Sequence, residues 1–217
     1  MISVIVPVFN GAGFVAEAIG SILAQPGSHD PEIIVVDDCS TDETVAVVGR
    51  FGDRVRLVRR DRNAGVAVAR NDGLATARGD LIGFLDADDL WTVRHLEALL
   101  GRLDDGSADC ARGFTRTVAL ADPEGAGSVA YQPILLGAGL YRRSLFERIG
   151  WFDPKLRLGE DFDFAARMIE AGAVVAQTED VVLVYRRHAN SVAAEGGAIV
   201  RGHLACVRNR LRRGTAA

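Results

Sequence analysis

The feature that most constrains this chain is an alternation repeated through its first half. A short apolar, β-branched run is followed by a polar turn and then by a segment with helical spacing. The runs fall at residues 2–8, 32–37, 54–59 and 81–85, and the helical segments at 14–25, 42–51, 64–77 and 92–103. Each helix carries the chain back across the sheet, so successive strands pair in parallel. The pattern predicts an α/β fold, a mainly parallel central sheet with helices on both faces. Its crossovers should be right-handed.

In such a sheet, ligands bind in the crevice beyond the carboxyl ends of the strands. The densest polar clusters sit at those ends. Val8 runs into Phe9-Asn10-Gly11, Val36 into Asp37-Asp38-Cys39-Ser40-Thr41-Asp42, and Leu85 into Asp86-Ala87-Asp88-Asp89. Three strand ends therefore aim amides or carboxylates at one cleft. Past Gly106 the pattern changes. Asp122-Pro-Glu-Gly-Ala-Gly127 is turn-rich and should link two strands of a small antiparallel element. Helices are expected at 143–149 and 161–171, a late strand at 181–185 and a basic helix at 198–213.

Composition bounds the function. At 217 residues without internal repeats or an interdomain linker, the chain is read as one domain. Apolar residues make up 48% and charged residues 25%, a soluble globular balance. A formal charge of −4 argues against a general nucleic-acid binder, whose footprint is basic. Cys39, Cys110 and Cys206 form no CxxC pair, so a reducing compartment is expected. The apolar start at 2–8 lacks a preceding basic region and is too short for a signal segment; it reads as a buried strand. No apolar stretch approaches the roughly 20 residues that span a bilayer.

Each polar cluster admits a structural and a chemical reading. Asp86 and Asp88, spaced by one residue in a turn, can both face a hard divalent cation, or Asp88 and Asp89 can cap the next helix. Asp37 and Asp38 end a strand where a carboxylate could accept a base N–H. Arg70 could point back at phosphates or anchor the acids at 86–89. Asp161 could cap a helix beside Glu160, or serve as a general base at the sugar end of the cleft. His188, after Arg186 and Arg187, could be structural, a metal ligand or a phosphate donor.

Together these motifs resemble a known family. Ser3-Val-Ile-Val-Pro-Val-Phe-Asn10, Val35-Val-Asp-Asp-Cys-Ser-Thr-Asp42, Asn63-Ala-Gly65, Ala69-Arg-Asn71 and Phe84-Leu-Asp-Ala-Asp-Asp89 are similar in order and spacing to family 2 glycosyltransferases of the GT-A type. Gly150-Trp-Phe-Asp153, Gly159-Glu-Asp161 and His188-Ala-Asn-Ser-Val192 resemble its distal motifs. The resemblance covers about positions 2–192. It implies an inverting transfer of one sugar from a nucleotide-sugar, a UDP-sugar foremost, to a hydroxyl of a saccharide or lipid-linked acceptor in glycan or polysaccharide assembly. Pro7, Phe9, Asp37 and Asp38 would line the base pocket, with Asp38 the first choice for the base. Asp86 and Asp88 would hold the ribose and Mn²⁺ or Mg²⁺, with Asp88 the firmer metal ligand. Arg70 and His188 would approach the diphosphate, Asp161 would be the catalytic base, and Glu160 its neighbour on the acceptor side.

The sequence departs from the family at Cys39 and Trp151, where glycine is usual. It lacks the QxxRW motif of processive synthases, which points to single addition. Residues 1–195 are expected to form one catalytic domain, with a nucleotide-binding half at 1–105 and an acceptor-binding half at 106–195. Residues 196–217 would form a basic tail. Arg201, Arg208, Arg210, Arg212 and Arg213 surround Leu204, Val207 and Leu211, so that tail either packs on the domain or rests on an anionic membrane. The expected location is the cytoplasm, with peripheral contact at the inner face of the cell membrane. Two other functions fit the acids: a metal-dependent nucleotidyltransferase, which would show a basic residue in its N-terminal Gly-rich loop where Phe9-Asn-Gly-Ala-Gly13 has none, and a non-catalytic glycan-binding module.

Overall fold

A computed structural model describes residues 1–27, 29–121, 127–188 and 198–214. Among them runs a sheet of nine strands: β1 (Ile2–Val8), β2 (Glu32–Asp37), β3 (Val55–Arg59), β4 (Leu81–Phe84), β5 (Leu90–Trp91), β6 (Cys110–Ala119), β7 (Ser128–Tyr131), β8 (Gly139–Arg142) and β9 (Val175–Arg187). The strand order is β3-β2-β1-β4-β8-β6-β9-β5, with β7 paired to β6. Strands β1 to β4 pair in parallel. Strand β8 lies antiparallel between β4 and β6, so the second half extends the sheet of the first.

The helices are α1 (Val15–Leu23), α2 (Thr44–Gly49), α3 (Val66–Thr76), α4 (His95–Leu100), α5 (Arg143–Ile149), α6 (Glu160–Glu170) and α7 (Ala198–Gly214). They cover both faces of the sheet because its strands alternate. Val4, Val6 and Val8 of β1, with Ile33 and Val35 of β2, pack with Ile19, Val48 and Leu96 of α1, α2 and α4. Ile5, Ile34 and Val36 point the other way and pack with Leu74, Phe146 and Phe164 of α3, α5 and α6. Helix α3 approaches β1 closely because residue 73 is glycine: a Cβ there would lie 2.4 Å from Ile5 Cγ2.

Two expectations from sequence need adjusting. The segment at 92–103 yields only the short α4, since Leu90 and Trp91 pair with β9 first and Thr92 N–H donates to the Val182 carbonyl. The late strand begins at Val175, not near 181, and runs 13 residues beside β6. The expected antiparallel pair is β6 and β7; most of the turn between them, 122–126, lies outside the described residues.

Strand lengths make the cleft. Leu85 N–H donates to the Ile5 carbonyl, and beyond that point β1 continues without β4 beside it. Pro7 is the next β1 residue facing that side, and it has no N–H to leave unpaired. The ends of β1, β2 and β4 therefore open together.

Candidate active site

The loops after β1 and β2 are locked to each other. Asn10, at φ +50°, accepts from the Thr41 N–H at 2.8 Å, and its own N–H donates to Ser40 Oγ at 2.8 Å. Gly11 N–H donates to Thr44 Oγ1 at 2.9 Å, and Ala12 N–H to Asp42 Oδ2 at 3.1 Å. A Cβ on Gly11 would meet Val8 Cγ2 at 2.6 Å and Ala87 Cβ at 3.6 Å, so this loop also lies against the turn after β4. Phe9 stands half exposed at the mouth, and Pro7 is buried in β1.

The adjacent acids of β2 diverge. Asp38 is taken up by the chain: Oδ1 accepts from Arg60 at 2.6 Å and from Ala64 N–H at 3.1 Å, while Oδ2 accepts from Gly65 N–H at 2.8 Å. Asp37 is fully buried. Its Oδ1 accepts from Ser40 N–H at 3.1 Å, and its Oδ2 has no hydrogen-bond partner; Arg59 Nε stands 3.7 Å off. A buried acceptor without a donor is costly, and the charge of Arg59 offsets part of that cost at Asp37 Oδ2.

Arg70 joins two distant segments. It projects from α3, buried, with its guanidinium 5.8 Å from the centre of the Phe152 ring. Nη2 donates to Asp86 Oδ1 at 2.6 Å, and Nη1 to Glu160 Oε1 at 2.5 Å. Burial alone would weaken its hold on the proton; Asp86, Glu160 and Asp161 outweigh that and keep it charged. The next residue, Asn71, exchanges two hydrogen bonds with the Phe152 backbone, at 2.8 and 3.0 Å. One turn of α3 thus fixes the loop that leads toward α6.

Asp86 and Asp88 are 41% and 34% exposed at their side chains, accessible to a ligand, whereas Asp89 is buried and accepts from Arg186 N–H at 2.9 Å. Burial pushes the Asp88 carboxyl up, and so does the charge of Asp86, against a bond from His188. Asp89 is pushed up further, by burial and then by Asp86 and Asp88. His188 Nε2 lies 3.0 Å from Asp88 Oδ2, and its ring stacks on Phe14 at 4.7 Å. Arg186 was not assigned a role from sequence, yet it pins this turn. Its Nε donates to the Asp88 carbonyl, its Nη1 meets Glu17 of α1, and its guanidinium lies 5.4 Å from the Phe14 ring centre. The doublet Arg186-Arg187 beside His188 was the available signal.

Asp161 sits in the first turn of α6 behind Gly159, whose φ of +81° suits glycine. Burial, then the neighbouring Glu160, push its carboxyl up to about 7, although Arg70 pulls the other way. An acid near 7 is poised to take a proton at neutral pH. The structure therefore brings Asp86, Arg70 and Glu160 into direct contact, with Asp161 adjoining, and pairs Asp88 with His188. Asp37 and Asp38 sit across the end of β1. Of the distal motif beginning at His188, residues 189–192 lie outside the described residues.

Comparison with known proteins shows the family and the fold. Residues 3–150 match the family model described as Glycosyl transferase family 2. The chain is 33% identical over 199 residues to the succinoglycan biosynthesis protein ExoU of Rhizobium meliloti, which covers 79% of this chain and 58% of the relative, so the chain spans under two thirds of that protein's length. Among solved structures, S. aureus TarS 1–349 in complex with UDP-GlcNAc superposes with a TM-score of 0.76 at 22% identity, over 90% of this chain and 61% of that one. The mannosyltransferase PcManGT from Pyrobaculum calidifontis, in complex with GDP-Man and Mn²⁺, gives 0.76 at 24%, over 95% and 64%. These likenesses show the fold, a GT-A type α/β fold. With a family match across most of its length, the chain belongs to glycosyl transferase family 2.

Proposed function

We propose that this chain transfers one sugar from a nucleotide-sugar, a UDP-sugar foremost, to an acceptor hydroxyl in polysaccharide assembly, inverting the anomeric centre in a single displacement. The observation that carries this reading is the Arg70 bridge, which joins the Asp86–Asp88 turn at the donor end to Glu160 and Asp161 at the far end. ExoU is named for succinoglycan biosynthesis, and the two structural neighbours hold UDP-GlcNAc and GDP-Man. We take residues 1–195 as the catalytic unit, divided near residue 105.

In this reading Asp37 Oδ2 accepts from the base or ribose, and Phe9 and Pro7 wall that end. We favour Asp37 over Asp38 here because the oxygens of Asp38 already hold Arg60 and the 64–65 backbone. Asp161 takes the proton of the acceptor hydroxyl as that oxygen attacks the anomeric carbon from the face opposite the leaving group. The bond to the diphosphate oxygen breaks in the same step, and the nucleoside diphosphate departs. Glu160, held by Arg70, keeps Asp161 oriented. General-base action of this kind is worth typically ~10²–10⁴-fold.

The donor set fits a hard divalent cation, Mn²⁺ or Mg²⁺. Asp86 and Asp88 offer accessible oxygens, and the Asp88 carboxyl is raised first by burial and then by the charge of Asp86, both of which a bound cation would offset. When bound, such an ion offsets the charge on the leaving diphosphate. Asp88 is then the firmer ligand, with His188 behind it.

The test is a panel of UDP-, GDP- and dTDP-sugars with and without Mn²⁺, read first by thermal shift and then by donor turnover. A donor that binds only the folded chain raises its melting temperature by mass action. We expect one nucleotide class to stand out and Asp161→Asn to bind it while losing turnover. Donor binding to none of the panel, or full turnover by Asp161→Asn, refutes the proposal.

A further inference from the structure

Helix α7 is amphipathic in the reverse of the usual sense. Among its described residues, Gly202, Asn209 and Arg210 make contacts with the rest of the chain. Gly202 packs against Gly159, so closely that a Cβ on Gly159 would lie 2.5 Å from the Gly202 carbonyl oxygen. Asn209 Nδ2 donates to Asp153 at 2.8 Å, and Arg210 Nε pairs with Glu170 at 3.0 Å. Gly202 and Asn209 lie on nearly the same side of the helix at about 100° per residue. On the opposite side, Val200, Leu204, Val207 and Leu211 fall within about 60° of arc. Their exposures are 60%, 54%, 53% and 65%. A helix that packs only to complete a core turns its apolar stripe inward. This one turns it outward.

The charge of the helix says what covers that stripe. The 17 residues of α7 contain five arginines and neither Asp nor Glu, in a chain whose formal charge is −4. A second copy of the chain would offer the same stripe in return, but pairing helix on helix would set five arginines against five with no acid on either helix to offset them. A sheet of anionic headgroups over acyl chains offers both complements at once: charge for the arginines and apolar depth for the stripe. No helix among the described residues is long and apolar enough to cross a membrane, so α7 would lie in the surface.

We propose that α7 docks this chain on an anionic lipid surface, with Val200, Leu204, Val207 and Leu211 inserted among the headgroups. Gly202 rests on Gly159, the residue before Glu160 and Asp161, so the docked helix holds the base-bearing end of the cleft beside the bilayer. Given the proposed function, which this last step rests on, the acceptor class is then a saccharide carried on a lipid.

The test is co-sedimentation of the full chain with vesicles of mixed phosphatidylglycerol and phosphatidylcholine at low and high salt, with pure phosphatidylcholine as control. Binding to the anionic vesicles should fall as salt rises, since exposed charges are screened. Arg208→Gln should lower the partition coefficient roughly fivefold, the worth of one arginine near such a surface. The double variant Leu204→Glu with Val207→Glu should lose at least about tenfold, with an unchanged melting temperature because both residues are exposed. Equal sedimentation of wild type and double variant overturns the proposal. So does a wild-type dimer that the double variant converts to a monomer without any vesicle binding, which would make a second copy the occupant. Vesicle binding is read without donor or turnover, so its failure leaves the proposed transfer standing, and failure of the transfer leaves the docking standing.

Discussion

Replacing Asp161 by Asn should stabilise the chain while abolishing transfer, and the gain should depend on pH in a defined way. The Asp161 carboxyl is pushed up to about 7, first by burial and then by Glu160. An ordinary aspartate titrates near 3.9, and each tenfold change in proton affinity is worth about 1.36 kcal/mol, so ionising Asp161 in the folded chain costs at most about 4 kcal/mol. The carboxyl borders an open cleft, and screening there brings the working figure to about 2 kcal/mol. An acid whose folded value is raised binds its proton more tightly folded than unfolded. Below about pH 4 both states are protonated, and the variant gains nothing. Between about pH 4 and 7 the wild type loses stability as the pH rises, and above 7 the loss is complete. Asn carries no charge at any of these values and keeps an oxygen for the Phe162 N–H that Asp161 now meets at 2.8 Å. For a chain of this size 1 kcal/mol moves the melting temperature by about 2–4 °C, so the variant should melt about 4–8 °C higher at pH 8 and equally at pH 4. Differential scanning calorimetry in EDTA across that range measures it. A gap independent of pH, or a variant less stable at pH 8, refutes the reasoning: Arg70 would then be drawing net stability from the Asp161 charge.

Four further outcomes follow from the geometry. Gly73→Ala should cost about 1–3 kcal/mol despite the better helix propensity of alanine, because the new methyl meets the immobile Ile5 at 2.4 Å; an unchanged melting temperature would show that α3 can slide. Asp37→Asn should weaken nucleotide binding at least about tenfold by calorimetry, the worth of one hydrogen bond to a charged acceptor, and equal affinity would remove Asp37 from the base pocket. Cys39→Gly should be neutral or stabilising by up to about 1 kcal/mol, since Cys39 holds a φ of +68° that glycine adopts freely; a clear loss by urea unfolding would assign worth to the Sγ contact with the Asp61 carbonyl. Chelating divalent cations should weaken binding of a nucleoside diphosphate at least about tenfold and leave the nucleoside unaffected, and equal affinities in EDTA and Mn²⁺ would exclude the Asp86–Asp88 cation.

The first half of the fold was legible because its signals are local. Strands β1, β2 and β4 carry near-continuous apolar runs bounded by polar turns, and burial on both faces is what such runs are for; β3, Val-Arg-Leu-Val-Arg59, alternates apolar and charged residues because it lies at the edge of the sheet. Strand β8 was not legible: Gly139-Leu-Tyr-Arg142 is four residues long, and its place between β4 and β6 is set by partners far away in sequence. Two-residue β5 was hidden for the same reason, immediately before the helical pattern at 92–103. At the site, the acids at the strand ends were visible as clusters, but their pairing was not. Arg70 and Glu160 stand 90 residues apart, and Asp89 and Arg186 stand 97 apart. Nor could the sequence separate Asp37, which takes the Ser40 N–H and faces Arg59, from Asp38, which the loop at 60–65 takes up.

The charge balance of the cleft narrows what can enter it. Asp86, Asp88, Asp89, Glu160 and Asp161 converge on it, and the two arginines nearest them, Arg70 and Arg186, are buried and already spent on Asp86, Glu160, Glu17 and the Asp88 carbonyl. Asp88, Asp89 and Asp161 are all pushed up, in each case first by burial and then by a neighbouring carboxylate. A diphosphate brings more negative charge to the same place, and at partly buried sites like charges a few ångströms apart repel by several kcal/mol. A neutral sugar acceptor feels no such barrier. Under the proposed function, this charge balance favours a nucleoside diphosphate that arrives with a cation, and an acceptor that arrives without charge at its reacting hydroxyl. Burial first, and then the same crowding of carboxylates, raises the Asp161 proton affinity, so in the proposed mechanism the acids that disfavour an unaccompanied donor also help set up the proton transfer. Adding a fixed positive charge to relieve the repulsion, for example Ala87→Arg, would lessen the need for a cation and at once lower the Asp161 proton affinity, trading donor binding against catalysis.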